Sequence, residues 1–180
     1  MRESFADVLA NADLIFNKQD VKTAAKDMAD KIRLDLGDKT PLVLCVMNGG
    51  LIPSGLLLEH LDFLMEIDYI HATRYQEKTS GGMLNWRVEP SKSLQDRHVL
   101  IIDDILDEGI TLKEIVQYCH NKGVASVRAA VLCIKNHGQQ HAIDADYVGL
   151  ELPNRYVFGC GMDYKGYFRN LFEIYAVHGM

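Results

Sequence analysis

The chain is patterned by two uninterrupted apolar runs that each end abruptly in polar residues. Leu42-Val43-Leu44-Cys45-Val46-Met47 gives way to Asn48-Gly49-Gly50, and Val99-Leu100-Ile101-Ile102 gives way to Asp103 and Asp104, with Asp107 three residues on. Runs this short with no alternation predict strands buried on both faces, as in a parallel sheet. Helical patterns stand beside them. Over Lys18 to Leu36, Val21, Ala24, Ala25, Met28, Ala29, Ile32 and Leu36 share one face, and Gly37 is a natural stop. A second helix follows Gly50, with Pro53 in its first turn and Leu56, Leu57, Leu58 and Leu61 as its body. A third opens at Thr111, carries Leu112, Ile115, Val116 and Cys119, and ends near Gly123.

Further strands are predicted from Leu64 to Thr73, at Trp86-Arg87-Val88, from Val127 to Ile134 with Lys135 terminating it, and from Tyr147 to Leu152 before Pro153. Residues 76–85 are polar and aperiodic, suited to a lid. Residues 3–12 predict a short helix before an apolar patch, Leu14-Ile15-Phe16. The aromatic, glycine-rich segment from Tyr156 has no clean period and suits a hood over the sheet. Strand and helix alternate, so the expected fold is α/β: one domain over residues 1–180, with a mainly parallel twisted sheet flanked by helices. Its core would span about 37–150, and a small hood would come from the N-terminal segment and about 151–180.

Composition narrows the function. A formal charge of −6 argues against sequence-independent nucleic-acid binding, which needs basic residues facing phosphates. No apolar run approaches the ~20 residues of a membrane span, and the first residues lack a signal-peptide pattern, so no membrane association and a cytoplasmic location are expected. Cys45, Cys119, Cys133 and Cys160 form no CxxC pair and read as buried reduced thiols. His137 and His141 have i, i+4 spacing, but Gly138 and two glutamines between them point to a loop.

The candidate chemistry lies at the second polar break. Carboxylates at a strand end, a turn at Glu108-Gly109 and a helix opening at Thr111 make an anion site: backbone N–H groups and the helix dipole face the ligand. Asp103 and Asp104 can hold sugar hydroxyls or magnesium, which takes oxygen ligands. The DDxxD spacing is also that of terpene synthases, but theirs lies on a helix, and here a β-branched run precedes it and a glycine turn follows.

The stretch His98 to Thr111 resembles the signature of type I phosphoribosyltransferases, and the likeness extends from about residue 40 to 175. Cys45 to Gly50 resembles the pyrophosphate loop of the hypoxanthine-guanine branch, and DYVGLELPNRYVFGCGMDYKGYFRNL its C-terminal purine- and magnesium-binding segment. The resemblance implies transfer of phosphoribosyl from phosphoribosyl pyrophosphate (PRPP) to a 6-oxopurine, hypoxanthine and guanine, in purine salvage, with Mg2+ as cofactor and a homodimer or homotetramer as the assembly. It implies that amides of Asp107, Glu108, Gly109, Ile110 and Thr111, with the Thr111 hydroxyl, hold the 5′-phosphate. Asp103 and Asp104 would hold the ribose, directly or through magnesium, and Asp107 would act as general base near N7. Lys135 would donate to O6, Tyr156 stack on the ring and Val157 read the purine edge. Asp163 would ligate magnesium, Arg169 meet pyrophosphate, and Asn48 and Gly49 form the pyrophosphate loop, while Tyr75 helps to close the lid.

The chain departs from the family pattern in places. Asn48-Gly49 stands where Lys-Gly is common, removing a cation, and a non-proline cis bond is expected at the 48–49 peptide by resemblance. Arg74-Tyr75 replaces Ser-Tyr, Asp103 replaces a Glu, and Glu108 puts a carboxylate into a phosphate turn. Two rivals follow: a xanthine-preferring enzyme, and a PRPP-sensing regulator without catalysis.

Overall fold

The computed structural model describes residues 4–74 and 84–179. Its elements run α1 (Phe5–Asn11), β1 (Asp13–Phe16), α2 (Lys18–Leu36), β2 (Leu42–Val46), α3 (Leu51–Leu58), β3 (Glu66–Arg74), β4 (Leu84–Val88), β5 (His98–Leu106), α4 (Ile110–Asn121), β6 (Ser126–Asn136), β7 (Tyr147–Pro153), β8 (Val157–Phe158) and β9 (Ile174–Ala176). No helix among the described residues is long and apolar enough to cross a membrane.

The larger sheet has the order β4-β3-β2-β5-β6-β7. All its neighbours run parallel except β4, an antiparallel edge strand on β3. Successive side chains of a strand leave on opposite faces, and here both faces are apolar. Val43, Leu100, Ile102, Ala130 and Leu132 pack against Met28, Ile32 and Leu36 of α2 and Leu56 and Leu57 of α3. Leu42, Leu44, Val99, Ile101 and Val131 pack on the other side, with Leu112, Ile115 and Cys119 of α4. The α/β expectation holds: a mainly parallel sheet is flanked by helices on both faces.

Helix α2 begins at a reciprocal cap, in which Asn17 accepts from the N–H groups of Gln19 and Asp20 while Asp20 accepts from that of Asn17. Its far end is tied to the sheet. Asp35 takes hydrogen bonds of 2.8 Å from both Arg128 of β6 and Tyr147 of β7, and one of 2.9 Å from Lys39.

The terminal segments form a second, antiparallel sheet in the order β1-β9-β8. The apolar patch at residues 14–16 is therefore a strand, paired with residues near the end of the chain. The other differences are at element ends. β5 and β6 run several residues beyond their apolar cores, so Asp103, Asp104 and Lys135 lie within strands, and α3 stops at Leu58, short of the buried Leu61. The four cysteines are free and buried.

Candidate active site

Strand order reverses between β2 and β5, since β3 lies on one side of β2 and β5 on the other. Open α/β sheets bind ligands in the crevice beyond the carboxyl ends of strands at such a point. Register then places the side chains. β5 pairs with β2 only as far as Cys45↔Ile102, but with β6 as far as Leu106↔Ile134. Residues 103–106 thus stand clear of β2, and a cavity of about 580 Å³ opens there. It is lined by Asn48, Gly49, His71, Arg87, Asp103, Asp104, Asp107, Glu108, Gly109, Thr111 and Arg169, among others.

The paired carboxylates are held against their preference. Burial and then the charge of Asp104 push the Asp103 carboxyl well above its ordinary range. Burial also raises that of Asp104, opposed by hydrogen bonding and by Arg169, whose Nη1 is 3.8 Å from Asp104 Oδ2. Asp163 accepts from Arg169 through Oδ1 and from the Gly166 N–H, at 2.7 Å, through Oδ2. Arg169 therefore sits between Asp104 and Asp163 and also donates to the Gly161 carbonyl. No group of three metal-ligating side chains occurs among the described residues. Magnesium is commonly held by one or two carboxylates plus substrate oxygens and water, so the oxygen-only pair of half-buried Asp103 and buried Asp104 fits that ion.

After β5 the chain turns into α4 through Gly109, which is left-handed at φ 81° and caps the helix without a side-chain hydrogen bond. The N–H groups of the first turn are left for another acceptor. Glu108 is exposed, and its carbonyl accepts from Ala142 N–H at 2.9 Å. The Ile110 side chain is not in the cavity; it borders a separate hollow with Lys113 and Tyr118, so any role of Ile110 rests on its backbone.

A second cavity of about 210 Å³ shares Asp104, Ile105 and Asp107 with the first and adds Lys135, Tyr156, Val157, Met162 and Asp163. Lys135 Nζ lies 2.8 Å from Asp107 Oδ2. Tyr156 is 44% exposed and meets Tyr164 edge-on, which leaves a ring face open. Two residues read only as loop hold this corner. His137 Nε2 donates to the Asp107 carbonyl at 3.2 Å, while its Nδ1 accepts from Gln139 N–H. His141 Nε2 donates to the Lys135 carbonyl at 3.1 Å. Their i, i+4 spacing was the available signal, although its purpose here is to bind carbonyls.

Opposite lies the Asn48-Gly49 turn. The cis bond is Met47–Asn48, one peptide before the position expected. Neither Gly49 nor Gly50 has a positive φ; both are glycine because space is short. A Cβ on Gly49 would strike the Asp104 carboxylate, and one on Gly50 the carbonyls of Ile102 and Val46. Gly161, at φ +101°, packs directly on the Gly49 carbonyl. Of the candidates, Tyr75 lies outside the described residues, as does most of the predicted lid. His71 and Arg87 line the larger cavity although nothing in their sequence context singled them out.

Comparison with known proteins shows the family and the fold. Residues 11–165 match the phosphoribosyl transferase domain family. A hypoxanthine-guanine-xanthine phosphoribosyltransferase of Tritrichomonas foetus is 31% identical over 159 residues, 88% of this chain and 87% of that protein. A hypoxanthine-guanine phosphoribosyltransferase of Bacillus subtilis is 30% identical, covering 88% of each. Among solved structures, a Trypanosoma cruzi hypoxanthine phosphoribosyltransferase variant complexed with IMP superimposes with a TM-score of 0.86 at 26% identity, over 94% of this chain and 93% of that one. A Staphylococcus aureus hypoxanthine phosphoribosyltransferase, 24% identical, shares the fold at a TM-score of 0.88, over 98% and 96%.

Proposed function

Because the chain belongs to the phosphoribosyl transferase family, we propose that it transfers the 5-phosphoribosyl group of PRPP to N9 of hypoxanthine and guanine, giving IMP or GMP and pyrophosphate in purine salvage. The observation that carries the choice of base is the Lys135–Asp107 pair at the junction of the two cavities. O6 and N7 are neighbours on one edge of a 6-oxopurine. An ammonium beside a carboxylate is complementary to that edge: Lys135 donates to O6 and Asp107 accepts from N7–H. Adenine presents an amino donor in place of O6 and is disfavoured, because the site's polar group would be left unpaired.

The remaining roles follow from position. The uncapped turn from Asp107 to Thr111 holds the 5′-phosphate, and Asp103 and Asp104 hold the ribose hydroxyls. Tyr156 stacks on the base, Val157 lines its edge, and Asn48 and Gly49 border the leaving diphosphate. In the reaction the bond from C1′ to the diphosphate oxygen breaks and its electron pair leaves with pyrophosphate. The N9 lone pair forms the new bond to C1′, and Asp107 takes the N7 proton. Arg169 stabilises charge growing on the leaving group. Bound magnesium, at Asp103, Asp104 or Asp163, would add Lewis-acid neutralisation of the diphosphate. A homodimer or homotetramer, cytoplasmic in location, completes the reading; Leu64, Ile67 and Tyr69 leave apolar surface for such an assembly.

The test is a spectrophotometric assay with PRPP and magnesium, offering hypoxanthine, guanine, xanthine and adenine separately. Turnover of hypoxanthine or guanine without adenine is the expected result. Xanthine as the best substrate would replace the reading by a xanthine-preferring enzyme, and PRPP binding without turnover of any base by a regulator.

A further inference from the structure

Among the described residues, the larger cavity is lined by four carboxylates, Asp103, Asp104, Asp107 and Glu108, and by two permanently charged cations, Arg169 and Arg87. Arg169 is already engaged by Asp163, the Gly161 carbonyl and Asp104. Arg87 has no carboxylate partner among the described residues. Its placement is an irregularity of the sheet. β4 pairs with β3 through His71↔Val88 and then Ala72↔Trp86, so β4 carries one residue more than β3 at this point, and that residue is Arg87. Bulges of this kind re-aim a side chain and are common beside active sites. Trp86 meanwhile packs on Tyr118 of α4, with ring centroids 4.7 Å apart, which anchors the strand on one side of the bulge.

We infer that Arg87, turned into the cavity by the bulge in β4, is a substrate-binding cation for the diphosphate of PRPP, serving where Asn48 leaves the pyrophosphate loop without a charge. The inference rests on the phosphoribosyl-transfer reading and adds a residue to it. The placement of the strands supports it. Met47 N–H bonds the Ile70 carbonyl at 2.8 Å, so the Asn48 turn adjoins His71, and Arg87 lies on the next strand beside Val88, the partner of His71. The 5′-phosphate turn is at the other end of the same cavity, after β5. A phosphoribosyl diphosphate with its 5′-phosphate on α4 would thus extend its diphosphate toward β2, β3 and β4. Burial and the nearby charge of Arg87 hold the His71 imidazole below its ordinary pKa, and Arg87 carries a permanent charge beside it. Arginine is suited to the task because its planar fork meets phosphate oxygens two at a time.

The experiment is calorimetric titration of the full chain with magnesium pyrophosphate and, separately, with IMP, for wild type and R87Q. Pyrophosphate affinity in R87Q is expected to fall by about tenfold or more, the usual worth of a charged phosphate contact, with IMP affinity within about twofold. R87K should recover part of the loss. N48K placed in the R87Q background should recover more than N48K adds to wild type, because both cations would act on one group. Unchanged pyrophosphate affinity in R87Q, an equal loss for IMP, or no pyrophosphate binding by wild type would overturn the inference. The two readings fail separately: wild type that turns over no purine refutes the proposed activity, whereas an active wild type with an indifferent R87Q refutes only the role of Arg87.

Discussion

Replacing Lys135 by methionine separates recognition of the purine from support of the fold. The lysine side chain is 14% exposed and its partner Asp107 is 48% exposed. Methionine keeps most of the apolar stem and removes the charged donor. Asp107 would be left without its cation but half in water, so the stability cost is that of a partly exposed pair, about 0–1 kcal/mol. For a chain of this size that lowers the melting temperature by at most about 4 °C. The donor to O6 is a different matter. A hydrogen bond from a charged group contributes about 1.5–3 kcal/mol, which corresponds to a drop of roughly 10- to 100-fold in kcat/KM for hypoxanthine and guanine. KM for PRPP should stay where it was, since Lys135 lines the smaller cavity and not the larger. Discrimination against adenine should narrow, because the donor that disfavours it is gone. Steady-state kinetics with each base, beside a thermal melt, decide the matter. A protein that melts many degrees lower with unchanged purine kinetics would show a structural ion pair, and the assignment of O6 recognition would be refuted.

Two further changes probe the frame around the site. Gly161→Ala puts a Cβ into the Gly49 carbonyl and against Asp104, at a φ of +101°. The backbone term alone costs about 1–2 kcal/mol, so the melting temperature should fall, and PRPP affinity should fall more than purine affinity; an unaltered PRPP KM would mean that the two loops are not coupled. Asp35 is held well below its ordinary range by Lys39, Tyr147 and Arg128. The stability it adds is therefore present above the unfolded-state value, near pH 4, and is lost as pH falls toward the folded one. Discounted for the one-third exposure of the side chain, Asp35→Asn should cost about 1–2 kcal/mol at pH 7, and denaturant curves of variant and wild type should converge below about pH 4. A gap of constant size down to pH 2 would remove the carboxylate as its cause.

The sequence was most readable where a residue's type is dictated by burial or by chemistry. Strands covered by helices on both faces must be apolar throughout, so β2 and the first part of β5 announced themselves. Carboxylates at the end of such a strand oppose its burial, and that conflict made Asp103, Asp104 and Asp107 visible. How far a strand continues is set by its neighbour, which is why the apolar run was read as ending at Ile102 with the carboxylates at its edge: β6 carries the ladder on after β2 has ended. The smaller sheet was illegible for a related reason. Asp13 pairs with Ala176 across nearly the whole chain, and strands of two or three residues have no period to detect. Arg87 was hidden by its bulge, since one extra residue shifts the facing of a strand and alternation then misleads. The residues most thoroughly concealed are those that act on main-chain atoms. His137 holds the carbonyl of Asp107 and His141 that of Lys135. A carbonyl is the same whatever residue bears it, so no pattern of residue types marks it as a partner. Arg87 apart, the side chains assigned to the substrate were therefore legible, while those that fix the backbone beneath them emerge only when the fold brings them together.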